Sequence, residues 1–524
     1  MHASLHSWLH DHSGLLHGML RGIEKESLRV TSHGQLSMSS HPVELGAALT
    51  HPYITTDYSE ALLELITPAS GSVATVLDDL QQLHRHVLSC LPDEILWAHS
   101  MPCFLGEDDT VPLAQYGTSA TGQMKTAYRH GLGIRYTRRM QTIAGIHYNL
   151  SFPDRFFAAL QQHEAPAEGG TLRSFKDQRY FGLLRNFMRY SWLLLYLFGS
   201  SPAVCRSFMR DRPHHMTPHQ QHTLIQPWAT SLRMSDIGYQ NHLQAELDID
   251  FNSLPAYLQG LDQAIRTPYP KFSQLGIRST DGSWLQLNDH ILQIENEFYG
   301  LIRPKQPPQP DERPGLALKR RGISYIEMRC VDLNPEAAIG IKESDAYFLE
   351  LFALYCLLET SADFSSDEQL CISRNQQQTA EQGRKEDLKL QPVGIFSAPF
   401  TLQSGAFTLL AGMQPIAVAL DHAYTTTAYT QALSDAYQRI DQPEQCQSAK
   451  IIQQLQDRSC SFFDLALQQT RANDAQLRQP VDPVWGERLE QLRKASLNDQ
   501  LLLEDQQKNL SLEQYLQAYF QPTD

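Results

Sequence analysis

The spacing of apolar positions changes several times along the chain, and each change marks an element. Residues 22–30 (GIEKESLRV) alternate polar and apolar by twos, the signature of a strand, and alternating runs recur at 143–152 (IAGIHYNLSF) and 323–333 (ISYIEMRCVDL). In residues 73–91, Val73, Val76, Leu80, Leu83, Val87 and Leu91 recur at steps of three and four, which predicts a helix. Residues 177–198 read as a second, long and largely buried one. Strands and helices interleave without the regular βαβ rhythm or internal repeat of a doubly wound fold, so an α+β architecture with a mainly antiparallel sheet is expected. Residues 306–314 (QPPQPDERP) and 373–388 (SRNQQQTAEQGRKEDL) read as exposed loops, the first through its prolines and the second through its polarity and weak periodicity. Beyond about residue 430 the chain is Gln-, Leu- and Glu-rich with helical spacing and reads as a helical buttress.

Taken literally, the strands sort their side chains, because residues two apart share a face. Glu24 and Glu26 fall together. His147, Asn149 and Ser151 share one face while Ile146, Tyr148, Leu150 and Phe152 take the other, and Tyr325, Glu327 and Arg329 oppose Ile326, Met328 and Cys330. Between the first two strands, ITTDYSEALLELITP holds Asp57, Glu60 and Glu64 among apolar residues. These could share a helical face, or Glu64 could sit on a strand; the short run is compatible with both. An unpaired buried carboxylate costs several kcal/mol and neighbouring ones repel, so the cluster calls for protons or cations. Many oxygen ligands, one histidine and no cysteine spacing suit Mg²⁺, with Mn²⁺ as the alternative, better than a structural zinc. Singly, each glutamate reads as a solvated strand edge and Glu327 with Arg329 as an ordinary ion pair; the repetition over three strands is what favours a site. Arg329, Arg129, Arg233 (in ATSLRMSDIGY), and Arg303 and Lys305 (in LIRPK) offer contacts to phosphate or carboxylate oxygens, against a plain surface charge as the simpler reading, most of all for Lys305.

Composition narrows the function classes. Apolar residues make up 42% of 524 and charged ones 19%, as in globular proteins. The net charge of −15 and the lack of a basic stripe exclude a nucleic-acid partner. The apolar run Trp192 to Phe198 is far shorter than the roughly 20 residues of a membrane span. The opening MHASLHSWLHDHSG lacks the basic region of an export signal, and the eight scattered cysteines form no C-x-x-C pair, so a reduced, cytoplasmic protein is expected. Gly117 to Thr126 (GTSATGQMKT) imitates a phosphate-binding loop, but two residues separate Gly122 from Lys125 where that motif allows none. His2, His6 and His10 are spaced for chelation on a helix, yet so near a terminus they read as solvated. The carboxylate cluster alone would also permit a metal-dependent phosphohydrolase, and the Gln-rich last third alone a helical scaffold.

The segments RGIEKESLRV, ALTHPYITTDYSEALLELITP, MPCFLGEDD, AQYGTSATG, GIHYNLSF, PWATSLRMSDIGYQN, LQIENEFYGLIRPK and GISYIEMRCVDLNP resemble, in order and spacing, the glutamate-cysteine ligase family of the proteobacterial type. The resemblance runs from about residue 20 to 340 and thins beyond 360, where EQGRK (381–385) is its main trace. It implies a glutamine synthetase-like catalytic fold, a curved antiparallel sheet forming a funnel with surrounding helices. The implied layout is a catalytic core over 1–360 and a mostly helical part over 361–524. The implied reaction joins the γ-carboxyl of L-glutamate to the amine of L-cysteine with ATP, through γ-glutamyl phosphate, the first step of glutathione biosynthesis. Another amine acceptor on the same fold is the nearest alternative. By the resemblance Glu24, Glu26, Asp57, Glu64, His147 and Glu327 would hold Mg²⁺, Arg329 and Arg129 would face the transferred phosphoryl group, and Arg233 would pair with a substrate α-carboxylate. Tyr128, Tyr239 and Tyr299 would line the cysteine site. The partners implied are small molecules only, with no obligatory protein partner.

Overall fold

The computed structural model describes residues 3–164, 170–210, 212–238, 247 and 249–521. Its strands run in chain order as β1 (Leu20–Thr31), β2 (Ile54–Thr56), β3 (Leu62–Ile66), β4 (Glu94–Leu96), β5 (Ile146–Ser151), β6 (Ala203–Cys205), β7 (Thr217–His219), β8 (Thr223–Ile225), β9 (Ile302–Lys305) and β10 (Tyr325–Val331), followed by a short pairing of 389–390 with 400–401. One open antiparallel sheet has the order β2-β3-β1-β5-β10-β9, with β4 paired to the far end of β1. A small sheet, β6-β8-β7, stands apart. The three alternating runs of the sequence are thus β1, β5 and β10, and they lie side by side in the centre of the main sheet.

The apolar residues of these strands form one face. Ile23 pairs with Tyr148, Met328 with Tyr148 and Ile326 with Leu150, and all of them are buried. This face is covered by the helices Val73–Cys90, Leu172–Phe198 and Glu343–Leu358, which contact β1, β10 and β5 respectively. The second of these is the long helix predicted over 177–198, and its last two and a half turns are buried on every side. Helices Leu402–Tyr424 and Ala428–Asp441 form an outer layer on Glu343–Leu358. The predicted helical character beyond 430 holds in four further helices, Gln447–Arg458, Phe462–Leu477, Pro483–Gln507 and Leu512–Tyr519.

One pair of charges buried on this apolar face is saturated. Arg21 Nε and Nη2 donate to the two carboxylate oxygens of Glu350 at 2.7 and 2.9 Å, and the hydroxyls of Tyr148 and Tyr429 donate to the same two oxygens at 2.7 Å each. Four donors therefore saturate one carboxylate at the junction of β1, β5 and two helices.

The structure corrects one element. Most of the segment 373–388, expected as a loop, belongs to helix Ser366–Gln382. Ser365 caps it by accepting the Glu368 amide, and its buried positions include the polar Asn375 and Thr379, which mask the stripe in the sequence. Asn375 donates to the Gln391 carbonyl (3.0 Å) and Gln376 to Ser191 Oγ (2.9 Å), so polar residues occupy the packed face. The proline-rich stretch is irregular up to residue 313, and helix Pro314–Arg321 starts on its last proline.

Candidate functional site

The opposite face of the main sheet is where the polar half of the alternation points. Register sets Glu24 beside His147, Glu26 beside Glu64, and Glu327 beside Asn149 and Arg303. Glu64 lies on β3, which resolves the helix-or-strand ambiguity in favour of a β2–β3 hairpin with Asp57 in its connection. Glu60 points elsewhere, its carboxylate accepting the backbone amides of His41 and Gln115.

His147 sits at the centre. Its Nδ1 is 3.2 Å from Glu24 and 3.6 Å from Glu327, and its Nε2 is 3.6 Å from Glu26. Asn149 Nδ2 donates to Glu24 at 2.9 Å, and the Gly145 amide donates to Glu26 at 2.7 Å. One donor atom each from Glu24, His147 and Glu327 lies within 4.8 Å of the others, a spacing that admits a shared cation. Two acceptors on the paired residues Glu327 and Asn149, Oε2 and Oδ1, are buried without any hydrogen-bond partner. Unpaired buried acceptors lack the positive charge or donor that would offset their desolvation, and a hard divalent cation supplies it.

The electrostatics split the carboxylates into two groups. Burial disfavours the charge on Glu327, but Lys305, Arg329, His147 and Arg303 together hold its carboxyl well below the ordinary range. Burial and Glu327 act against ionisation of Glu24, and the hydrogen bond from His147 with the charge of Lys305 outweighs them. Glu64 is pushed well above the ordinary range by burial and by its neighbours Glu24, Asp57 and Glu26. Glu26 is raised too, mainly by burial. Like charges held this close keep protons until a cation replaces them.

Cations of the protein ring the acids. Arg329 Nη1 and Lys305 Nζ lie 3.0 and 3.3 Å from the same oxygen of Glu327. Lys305, for which a surface charge was the simpler expectation, is instead a close partner of the most buried acid of the site. Arg129, on helix Ala120–Tyr136, donates to the Asp57 carbonyl and stacks its guanidinium 4.5 Å from the centre of the Tyr116 ring. Arg233, in a short 3₁₀ turn (Leu232–Met234), donates to the Arg329 carbonyl at 2.9 Å and lies 3.6 Å from buried Asp332, which accepts the Ser200 amide and the hydroxyls of Ser201 and Ser231. The guanidinium of Arg233 crosses directly over Gly145, where any Cβ would overlap it. The Arg329 guanidinium is 5.7 Å from the Tyr299 ring centre, and burial raises both the Tyr299 and Tyr128 hydroxyls above their usual range.

The acids, His147 and the cationic side chains of this site line one cavity of about 640 Å³. Of the twelve residues named from the sequence, it brings together Glu24, Glu26, Asp57, Glu64, His147, Glu327, Arg329, Arg129, Arg233, Tyr128 and Tyr299. Tyr239 lies outside the described residues, as do His2 and the side chain of His6. The cavity adds Arg135 and Tyr136, which anchor on Glu297 at 3.0 and 2.6 Å. Their signal was in the sequence: residues 128, 129, 132, 135 and 136 repeat at helical steps behind the named Tyr128 and Arg129.

Residues 7–379 match the glutamate-cysteine ligase family. The glutamate-cysteine ligase of Alcanivorax borkumensis is 46% identical to this chain over 99% of its length and 98% of the relative's, and that of Azotobacter vinelandii 44% identical over 96% and 95%. Among solved structures, a glutamate-cysteine ligase of Francisella tularensis in complex with AMP superposes with a TM-score of 0.89 at 33% identity, covering 96% of this chain and 97% of that one. A bifunctional glutathione synthetase from Pasteurella multocida shares the fold at 23% identity and a TM-score of 0.68, this chain spanning 54% of it. With family, relatives and fold in agreement over nearly its whole length, the chain belongs to the glutamate-cysteine ligase family.

Proposed function

We propose that this protein joins the γ-carboxyl of L-glutamate to the amine of L-cysteine at the expense of ATP, and that the cavity on the polar face of the main sheet is where it does so. The observation that carries the reading is the convergence of Glu24, Glu26, Asp57, Glu64, His147 and Glu327 with Arg129, Arg233, Lys305 and Arg329 in that one cavity. A carboxylate is a poor acyl donor because oxide is a bad leaving group. The glutamate γ-oxygen therefore attacks the γ-phosphorus of ATP, ADP departs with the bridging oxygen, and γ-glutamyl phosphate results. The neutral amine of cysteine then attacks the acyl carbon, a proton leaves the nitrogen, and inorganic phosphate departs.

In this assignment Arg329, Arg129 and Lys305 face the phosphoryl group in flight, where fixed cations stabilise charge without reorganising. Arg233, held rigid by Asp332 and the Arg329 carbonyl, pairs with a substrate α-carboxylate. Tyr128 and Tyr299 border the thiol side chain. The donors of Glu24, His147 and Glu327, with Glu26, Asp57 and Glu64 around them, fit Mg²⁺ or Mn²⁺, which when bound would neutralise the triphosphate and the oxygens of the transferred group. ATP and a reduced thiol as substrates assign the enzyme to the cytoplasm.

The test is ADP release with Mg²⁺, glutamate and a panel of amines. Release that needs both amino acids and is fastest with cysteine is expected. Full-rate phosphate release without any amine would replace the reading with a phosphohydrolase, and equal rates with unrelated amines would remove cysteine from it. Discrimination of a thiol from a methyl is worth only about 1–3 kcal/mol in such a pocket, so slow turnover of similar small amines is expected too.

A further inference from the structure

Helix Ala120–Tyr136 carries Tyr128, Arg129 and Arg135 into the cavity, yet its other face does not pack on the main core. Ala120, Met124 and Ala127 join a separate apolar cluster with Leu287, Ile294, Leu512, Tyr515 and Leu516, and Tyr128 itself packs against it. Three of the five partners, Leu512, Tyr515 and Leu516, come from helix Leu512–Tyr519, nearly 400 residues away in sequence. The start of the helix is held from the same direction. The Thr118 amide donates to Glu504 Oε1 at 2.8 Å, the Thr121 amide donates to Gln507 Oε1 at 3.0 Å, and Gln507 Nε2 donates back to Thr121 Oγ1 at 2.9 Å. Ser119 supplies the local cap by accepting the Gly122 amide. The segment that imitates a phosphate loop therefore presents its amides to a carboxylate and a carboxamide of its own chain, and the carboxylate sits at the positive end of the helix.

These two side chains end helix Pro483–Gln507, a strut of about 37 Å at 1.5 Å per residue. Only Leu489 and Ser496 along it are buried, the rest being exposed or half-buried, and it is tied down near its middle where the Ala47 amide donates to Ser496 Oγ (3.1 Å) and Thr50 donates to the Ser496 carbonyl (2.6 Å). At the far end Tyr515 donates to Asp311 (2.8 Å), in the proline-rich stretch that leads out of β9. Gly117 has φ +79, and a Cβ there would overlap the Glu504 carboxylate and the Gln500 amide, so the strut needs the missing side chain to approach this closely.

We propose that the C-terminal helices, residues 483–519, are a positioning clamp for helix Ala120–Tyr136: they set where Tyr128 and Arg129 stand and thereby the fit of the acceptor amine. The strut itself is rooted in the main core through Leu489 and Trp485, whereas its contacts with helix Ala120–Tyr136 lie outside that core, so loosening them tunes the site without carrying the fold. The assignment of Tyr128 to the acceptor pocket rests on the function proposed above; the positioning of the helix does not.

The experiment compares Glu504→Ala, the conservative Glu504→Gln, and Leu512→Ala/Leu516→Ala in the full-length protein, with hydrogen exchange and steady-state kinetics on each. Glu504→Ala and the double variant are expected to raise exchange of the amides in 118–132 at least tenfold with β1 and β5 unchanged, and to raise KM for cysteine about fivefold or more with KM for ATP within twofold; Glu504→Gln keeps an acceptor and restores most of both. Unchanged exchange in 118–132 overturns the clamp. So does faster exchange spread through the main sheet with a fall in every kinetic parameter alike, since the helices would then be part of the general fold. If the exchange responds as expected while cysteine is not a substrate at all, the clamp stands and the acceptor assignment falls.

Discussion

The two faces of the main sheet bury carboxylates in opposite ways. On the apolar face, Glu350 receives four donors, two from Arg21 and one each from Tyr148 and Tyr429, so both its oxygens are satisfied. On the polar face, Glu327 has cations crowding Oε1 and nothing on Oε2, while Glu24, Glu26 and Glu64 repel one another beside it. Both residues are buried and both are among cations, so neither burial nor proximity separates structure from function here. The number of unfilled lone pairs does. A saturated carboxylate has nothing to offer a ligand, and an unsaturated one is costly to the fold until a ligand arrives.

Exchanging an acid on each face puts that contrast under strain. Glu327→Gln is expected to cut Mg²⁺-dependent ADP release by about 10³-fold, comparable to removing a preorganised electrostatic group in other enzymes, while circular dichroism and the unfolding midpoint stay close to wild type. Glu350→Gln should do the reverse. It leaves the Arg21 charge buried without its counterion, which costs about 3 kcal/mol of stability by chemical denaturation, with turnover per folded molecule nearly unchanged. A variant at Glu350 that folds normally but fails to turn over would erase the distinction between the faces.

Metal sharpens it next. Saturating Mg²⁺ at about 100 times its dissociation constant should stabilise the wild-type protein by about 2.7 kcal/mol in a thermal melt without nucleotide. The gain should vanish in Glu327→Gln and persist in Glu350→Gln. The smallest effect concerns a buried base away from the site. His99 donates from Nε2 to Gln469 at 2.7 Å, and burial lowers its pKa from the ordinary value near 6.5 to about 4. The unfolded chain binds a proton there between those values and the native one does not, so stability falls as pH drops below 6.5. The loss is about 1 kcal/mol by pH 5.5, and His99→Gln should flatten that part of the stability curve.

How much of this was legible in the sequence follows from what each element depends on. The three central strands were readable because each buries one face only, and period-two alternation records that directly: Glu24, His147 and Glu327 could each be placed on the polar face of its own strand before any pairing was known. Their lateral order and the register that sets Glu24 against His147 are properties of the pairing, and no single strand contains them. Glu64 stayed ambiguous because a five-residue strand is shorter than the window in which helical and extended periods separate. Lys305 looked like a surface charge because its burial is made by β10, twenty residues downstream. Helix Ser366–Gln382 was missed for the reverse reason: its packed side uses Asn375 and Gln376, whose hydrogen bonds do for that face what hydrophobicity does elsewhere. The hold of Glu504 and Gln507 on Thr118 and Thr121 spans 386 residues and leaves no local trace.

Gly145 shows how a single vacancy constrains the whole floor. Its backbone ties Glu26 through a hydrogen bond, and the space above its α-carbon is filled by the guanidinium of Arg233. Even alanine, the smallest alternative with a side chain, would have to evict that arginine and slacken the acid beneath it in one stroke. The two roles proposed for Glu26 and Arg233, one toward a cation and one toward a substrate carboxylate, thus meet at a hinge point made of two hydrogens, and neither side chain can be moved there without the other.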